Sequence, residues 1–93
     1  MRTIERSTAF KRDFKRLAKG PFRAALLDDL PAIMEKLMID EALDPQHRDH
    51  KLASSWTGFR ECHVKPDLLL IYRKVGTDIL QLARLGSHSE LFG

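Results

Sequence analysis

HRDHKLASSWTGFRECHVKPDLLLIY, residues 47–72, is the stretch whose reading decides the fold. It contains three of the four histidines, the only Trp (Trp56), the only Cys (Cys62) and the only Tyr (Tyr72). Two patterns are superimposed on it. The first is strand, turn and strand: Gly58 to Val64, a turn at Lys65-Pro66-Asp67, then Leu68 to Val75. The second is a set of proton-transfer groups, His50, His63 and Asp67, joined near the C-terminus by His88. A hairpin places groups that are distant in sequence about 5 Å apart across neighbouring strands.

Toward the C-terminus, Gly76-Thr77 is a turn signal, and Asp78 to Leu85 reads as a third strand. Leu68 to Ile71 is apolar at every position, which predicts a central strand covered on both faces. Three strands with short turns form an antiparallel meander. Toward the N-terminus, a polar loop runs from Asp44-Pro45-Gln46 to about Ser55. Before it, Phe22 to Leu43 carries one apolar stripe: Leu26, Leu27, Leu30, Ile33, Met34, Leu37 and Met38. Pro31 interrupts this helix, predicting a kink or break near residue 30. Gly20-Pro21 separates it from an earlier helix, in which Phe10, Phe14, Leu17 and Ala18 recur at helical spacing, with Ser7 or Thr8 as N-cap. Arg2 to Arg6 reads as an edge strand. The expected fold is therefore α+β. A small antiparallel sheet (the C-terminal three-strand meander plus the N-terminal edge strand) carries an N-terminal helical hairpin on one face. Trp56, Cys62, Met34 and Met38 are expected to be packing residues.

Ninety-three residues predict a single domain, residues 1–93, with a small core. The N-terminus has no apolar segment of signal-peptide type, and no apolar run approaches the ~20 residues of a membrane helix. A lone cysteine rules out an internal disulfide and fits a cytoplasmic address. The net charge of +3 is unevenly spread. Residues 1–23 hold eight Lys/Arg against two acids, and residues 24–46 hold one Lys against six acids. The basic face Lys11, Arg12, Lys15 and Arg16 points to a polyanion, although charge runs are commonly plain solvated surface.

Taken singly, each candidate has an ordinary reading. His50 suits a solvated loop, His63 a half-buried strand, Asp67 a turn that bonds its own backbone, and His88 a frayed tail. Together they suit RNA cleavage through the 2′-OH, in which one group takes the hydroxyl proton and another protonates the leaving 5′ oxygen. Arg84, with Arg60 second, would stabilise charge on the phosphorane. Phe92, next to the C-terminus, either clips the chain end to the domain or stacks on a base. His47-x-x-His50 with Cys62-His63 offers zinc-type ligands at uncommon spacing, and adjacent strand residues face opposite ways, so no metal and no cofactor are expected.

The runs D-H-K-L, S-W-x-G-F-R-E-x-H-V-x-P-D, L-L-I-Y and G-S-H-S-E-L-F-G resemble the YafQ-type toxins of the RelE superfamily. The likeness covers roughly residues 47–93; residues 1–46 match in pattern only. It implies a ribosome-dependent mRNA endonuclease that cuts in the A site and has a RelE-like fold. By motif, it places His50, His63, Asp67, His88 and Phe92 on functional positions and Arg84 beside the scissile phosphate. It implies that the basic first helix contacts ribosomal RNA. It also implies a DinJ-like antitoxin as partner, and operator DNA bound only by the toxin–antitoxin complex. One departure is Leu68, where Trp is frequent. The gyrase-poisoning ParE toxins share this fold without nuclease activity, and the His/Asp set argues against that alternative.

Overall fold

A computed structural model describes residues 1–93. The elements are β1 (Thr3–Arg6), α1 (Thr8–Leu17), α2 (Arg23–Met38), β2 (His50–Lys51), β3 (Arg60–Lys65), β4 (Leu68–Val75), β5 (Ile79–Gly86) and α3 (His88–Phe92). Single 3-10 turns lie at Pro45–His47 and Ser54–Trp56. The strands form one sheet in the order β1-β5-β4-β3-β2. The α+β class, the meander and the helices on one face are as expected. The N-terminal strand is indeed an edge strand, but it pairs with β5 in parallel, so the sheet is mixed. The reason is connectivity: β1 leads into α1 and α2, which cross one face before the chain returns to the far edge.

β4 is central, and Leu68 to Tyr72 are buried without a break. Alternation along it separates two cores. Leu68, Leu70 and Tyr72 face the helices, together with Phe10, Leu26, Leu30, Ile33 and Leu37. Leu69 and Ile71 face the other way, buried under Leu91 and under Trp56, Phe59 and Phe92, which are themselves only partly buried. We refer to this second side as the open face. Fully burying a Leu stabilises by about 1.5–3 kcal/mol, so the helix-side core carries most of the stability.

Ser7 caps α1, its hydroxyl accepting from the Phe10 amide at 2.9 Å. Contrary to expectation, α2 runs unbroken through Pro31. Leu27, whose carbonyl loses its helical partner to Pro31, is 62% exposed, so the lost bond falls on the solvent side. The same exposure removes Leu27 from the predicted buried stripe. α2 also ends earlier than the pattern suggested. Asp40 takes a left-handed φ of 60°, and the Asp40 and Glu41 amides fold back to the Leu37 and Lys36 carbonyls. Leu68 is fully buried on the helix side, so the departure from the common Trp bears on that core and not on the open face. No helix is long and apolar enough to cross a membrane.

Candidate active site

Pairing across the sheet sets two rows on the open face. One runs His50, Glu61, Ile71, Arg84; the other runs His63, Leu69, Gly86. His50 therefore lies on a two-residue edge strand and not in the loop predicted for it. Arg48 takes a left-handed φ of 47°, which turns its carbonyl toward the ring of His50. The His50 Nδ1–H donates to that carbonyl at 2.6 Å. The His63 Nδ1–H donates to the Pro66 carbonyl at 3.2 Å, and the His47 Nδ1–H to the His63 carbonyl at 2.7 Å. A carbonyl only accepts, so each of these rings carries its proton on Nδ1 and leaves Nε2 for chemistry.

For two of the rings, Nε2 turns to one atom. The Glu61 Oε1 lies 3.4 Å from the His63 Nε2 and 3.8 Å from the His50 Nε2. Glu61 is only 5% exposed. A proton taken up at either Nε2 thus sits beside a carboxylate oxygen. The sequence reading missed Glu61. Its signal was there: Glu61 and His63 are two residues apart on a strand, hence on one face. Asp67 is exposed in the hairpin turn, and its side chain makes no hydrogen bond or ion pair.

α3 brings His88 and Phe92 to the other side of Leu69 and Ile71. It is no frayed tail: Ser87 and Glu90 form a capping box, with the Glu90 carboxylate accepting from the Ser87 amide at 2.8 Å. That bond lowers the Glu90 pKa. Gly86 allows the helix to fold back closely, since a Cβ there would lie 3.1 Å from the Glu90 Oε1. His88 is exposed, its ring 5.0 Å from that of half-buried Phe92. Two strand spacings, about 10 Å, separate the Gly86 end of the row from His63.

Arg84 is tied down. Its Nε donates to the Asp13 Oδ2 at 2.8 Å and its Nη2 to the Asp13 Oδ1 at 3.3 Å. Asp13 is buried on α1 and also accepts from the Leu85 amide at 3.0 Å. Burial works to raise the Asp13 pKa, but the bonds from Arg84 and Leu85 outweigh it and hold the carboxyl below the usual aspartate range. The Arg84 Nη1 and the second N–H of Nη2 remain free for a phosphate. Arg60 is registered opposite Tyr72 and so faces the helix side, away from Glu61 and His63. Its Nε donates to the Asp49 Oδ1 at 3.1 Å, an atom that also accepts from the Tyr72 hydroxyl at 2.6 Å. The reading of Arg60 as second phosphate ligand of the histidine site gives way to this: strand alternation turns it from the imidazoles. No group of three or more His, Cys, Asp or Glu side chains is arranged to hold a metal ion.

Lys11, Arg12 and Lys15 form an exposed face of α1 with no acidic partner, whereas Arg16 is paired with Glu90 and Asp13.

The sequence profile of the family described as "Bacterial toxin of type II toxin-antitoxin system, YafQ" matches residues 2–93. The mRNA interferase toxin YafQ of Escherichia coli strain B / BL21-DE3 is 39% identical over 93 residues, 99% of this chain and 97% of that one. The structure of a metal-bound toxin from Helicobacter pylori superposes with a TM-score of 0.88 at 46% identity, over 99% of this chain and all of that one. The toxin of the E. coli DinJ–YafQ complex does so at 0.83 and 38% identity, over all of both chains. The match spans nearly the whole chain, at identities well above those at which only the fold is shared. The chain belongs to the YafQ family of toxins of type II toxin–antitoxin systems.

Proposed function

We propose that this chain is an endoribonuclease toxin that cleaves mRNA in the ribosomal A site through attack of a 2′-OH on the neighbouring phosphate. The observation that carries the reading is the convergence of the His50 and His63 Nε2 atoms on Glu61, on the face where α3, which bears His88, packs through Leu91 and Phe92. A neutral imidazole on the Glu61 side, His50 first, takes the 2′ proton. Glu61 then lies beside the new imidazolium, and His63 lies against the same carboxylate oxygen. His88 gives its proton to the leaving 5′ oxygen. The free Nη1 of Arg84 meets charge on the phosphorane. Asp67 and Phe92 border the substrate path, Phe92 by stacking on a base. Each well-placed acid or base contributes roughly 10²–10⁴-fold.

The relatives named mRNA interferase support this substrate class, and the DinJ–YafQ complex supports a DinJ-like antitoxin as the partner that silences the toxin. In this reading the toxin works in the cytoplasm, and operator DNA is bound only by the toxin–antitoxin pair. The test maps new 5′ ends on an mRNA with and without translating ribosomes. In-frame cuts on translated message and little cutting of naked RNA are expected, because the A site supplies alignment that a shallow face lacks. Equal cutting of both would sink ribosome dependence, and no new ends in either would sink the nuclease.

A further inference from the structure

The same sheet holds a second basic feature that the histidine site does not use. β3 starts at Arg60 opposite Tyr72, so β4 runs on through Arg73 to Val75 with no strand on that side. A hollow of about 410 Å³ opens there, lined by Lys51, Thr57, Arg60, Arg73 and Lys74 with the backbone of Gly58 and apolar Leu52 and Phe59. No carboxylate lines it. Arg60 and Lys74 are partly neutralised from behind, by Asp49 at 3.1 Å and Asp40 at 2.7 Å. Lys51 is exposed and has no partner.

Arg73 is the informative residue. It is half-buried, yet no acid pairs with it. Its Nε donates to the Gln81 Oε1 at 2.6 Å, and its guanidinium carbon sits 4.8 Å above the Phe59 ring. Gln81 is held in turn by Glu5, at 2.9 Å. Neutral neighbours therefore fix the guanidinium plane and leave both Nη groups unbonded within the molecule. A planar cation held this way, with its donors free, suits a phosphate. Arg73 is one same-face step, about 6.7 Å, along β4 from Ile71, the residue registered with Glu61.

We propose that Arg73, with Lys51 and Lys74, is a phosphate subsite for the mRNA strand as it leaves the histidine site. The proposal rests on the nuclease reading above. Arg73 grips a backbone phosphate next along the strand from the scissile one, while Lys51 and Lys74 supply a field with no sequence preference.

The test measures binding of an uncleavable 2′-O-methyl single-stranded RNA over a range of salt, and of ribosomes programmed with mRNA, for wild type, Arg73→Gln and Lys51→Gln. Lys36→Gln, which removes a cation paired with Asp44 on α2, is the control. Arg73→Gln is expected to lower RNA affinity roughly tenfold at low salt. It should also flatten the slope of log K against log salt by about 0.7, the loss of one phosphate contact on a single strand. Lys51→Gln, at an exposed position with no internal contact, should flatten it similarly even if Arg73→Gln unfolds. The control should keep the wild-type slope. Unchanged slopes in both pocket variants, or losses confined to ribosomes and absent on the oligonucleotide, would overturn the proposal. Cleavage of programmed mRNA by the wild type is followed in parallel. A wild type that cuts, with pocket variants that bind normally, removes the subsite alone; a wild type that does not cut removes the nuclease reading as well.

Discussion

Glu61 is a nearly buried acid with two imidazole Nε2 atoms beside its carboxylate, and a buried carboxylate is costly unless its neighbours answer it. Glu61→Gln keeps the shape and removes the charge beside both Nε2 atoms. Single-turnover cleavage on programmed ribosomes should fall on the order of 10–100-fold, part of what a placed base contributes, with little change in melting temperature. Glu61→Asp should recover part of the rate; equal rates for all three would show that the carboxylate only packs. His88→Gln should cost roughly 10²-fold or more, since an amide cannot give up a proton, and should leave melting unchanged because His88 is exposed. Phe92→Ala differs from what a free tail would predict. Phe92 is half-buried against Leu69, Ile71 and Leu91, so its loss should cost about 1–2 kcal/mol of stability. In a chain of this size that lowers the melting temperature by roughly 5–15 °C. Thermal unfolding beside kinetics separates the two effects.

Among the elements, α3 depends on α1. Arg16 reaches Glu90 of the capping box, and Asp13 holds Arg84 and the Leu85 amide just before the helix. The Asp13 and Glu90 pKa values are both lowered in the folded protein. Groups of this kind bind fewer protons folded than unfolded, so their contribution is fully present above their unfolded values. It is lost as pH falls through their folded values. Melting temperature should therefore hold steady from neutral pH to about 5 and fall below about 4, near the ordinary aspartate and glutamate values. Asp13→Asn should flatten that acid limb. At neutral pH it should cost about 2–3 kcal/mol, because Arg84 loses its counter-charge while the amide still occupies the site. A melting curve for Asp13→Asn that parallels the wild type at every pH would show that the carboxylate is not what couples α1 to β5. Asp40, lowered to about 2 by Lys74 and Arg2, adds to the same acid limb.

Across the whole molecule, unpaired positive charge lies on the α1 face and in the β4 hollow, apart from the histidines of the open face to which the proposed chemistry belongs. Reversing Lys11 and Lys15 to Glu should weaken ribosome binding in a salt-dependent way and leave melting intact, since neither residue has an internal partner. Arg16→Glu should do more. It breaks the pair with Glu90, so α3 loosens and cleavage falls beyond what weaker binding explains. Binding to ribosomes at two salt concentrations, with cleavage at saturating toxin, distinguishes the two effects. If Lys11/Lys15 reversal leaves binding unchanged and salt-independent, the helix face is solvated surface.

Local chemistry was enough to read β1, β3, β4 and β5, the helix start at Ser7, the turn at Pro66-Asp67 and the burial of Leu68 to Ile71, but not the short edge strand at His50. Periodicity, caps and turn residues act over a few positions, and the sequence states them directly. It also supplied the histidines, because the family likeness is written in short runs around them. What it could not supply depends on contacts between distant residues. The parallel pairing of β1 follows from how two helices cross a face. The bond from Arg84 to Asp13 spans 71 positions, and only packing reveals that this cation is already occupied. Arg60 and Glu61 are neighbours in sequence, yet strand alternation sends one to the helix side and the other to the imidazoles. The meeting of both imidazoles at Glu61 was decided by register, which sets His50 opposite Glu61 and leaves Asp67 out in the turn.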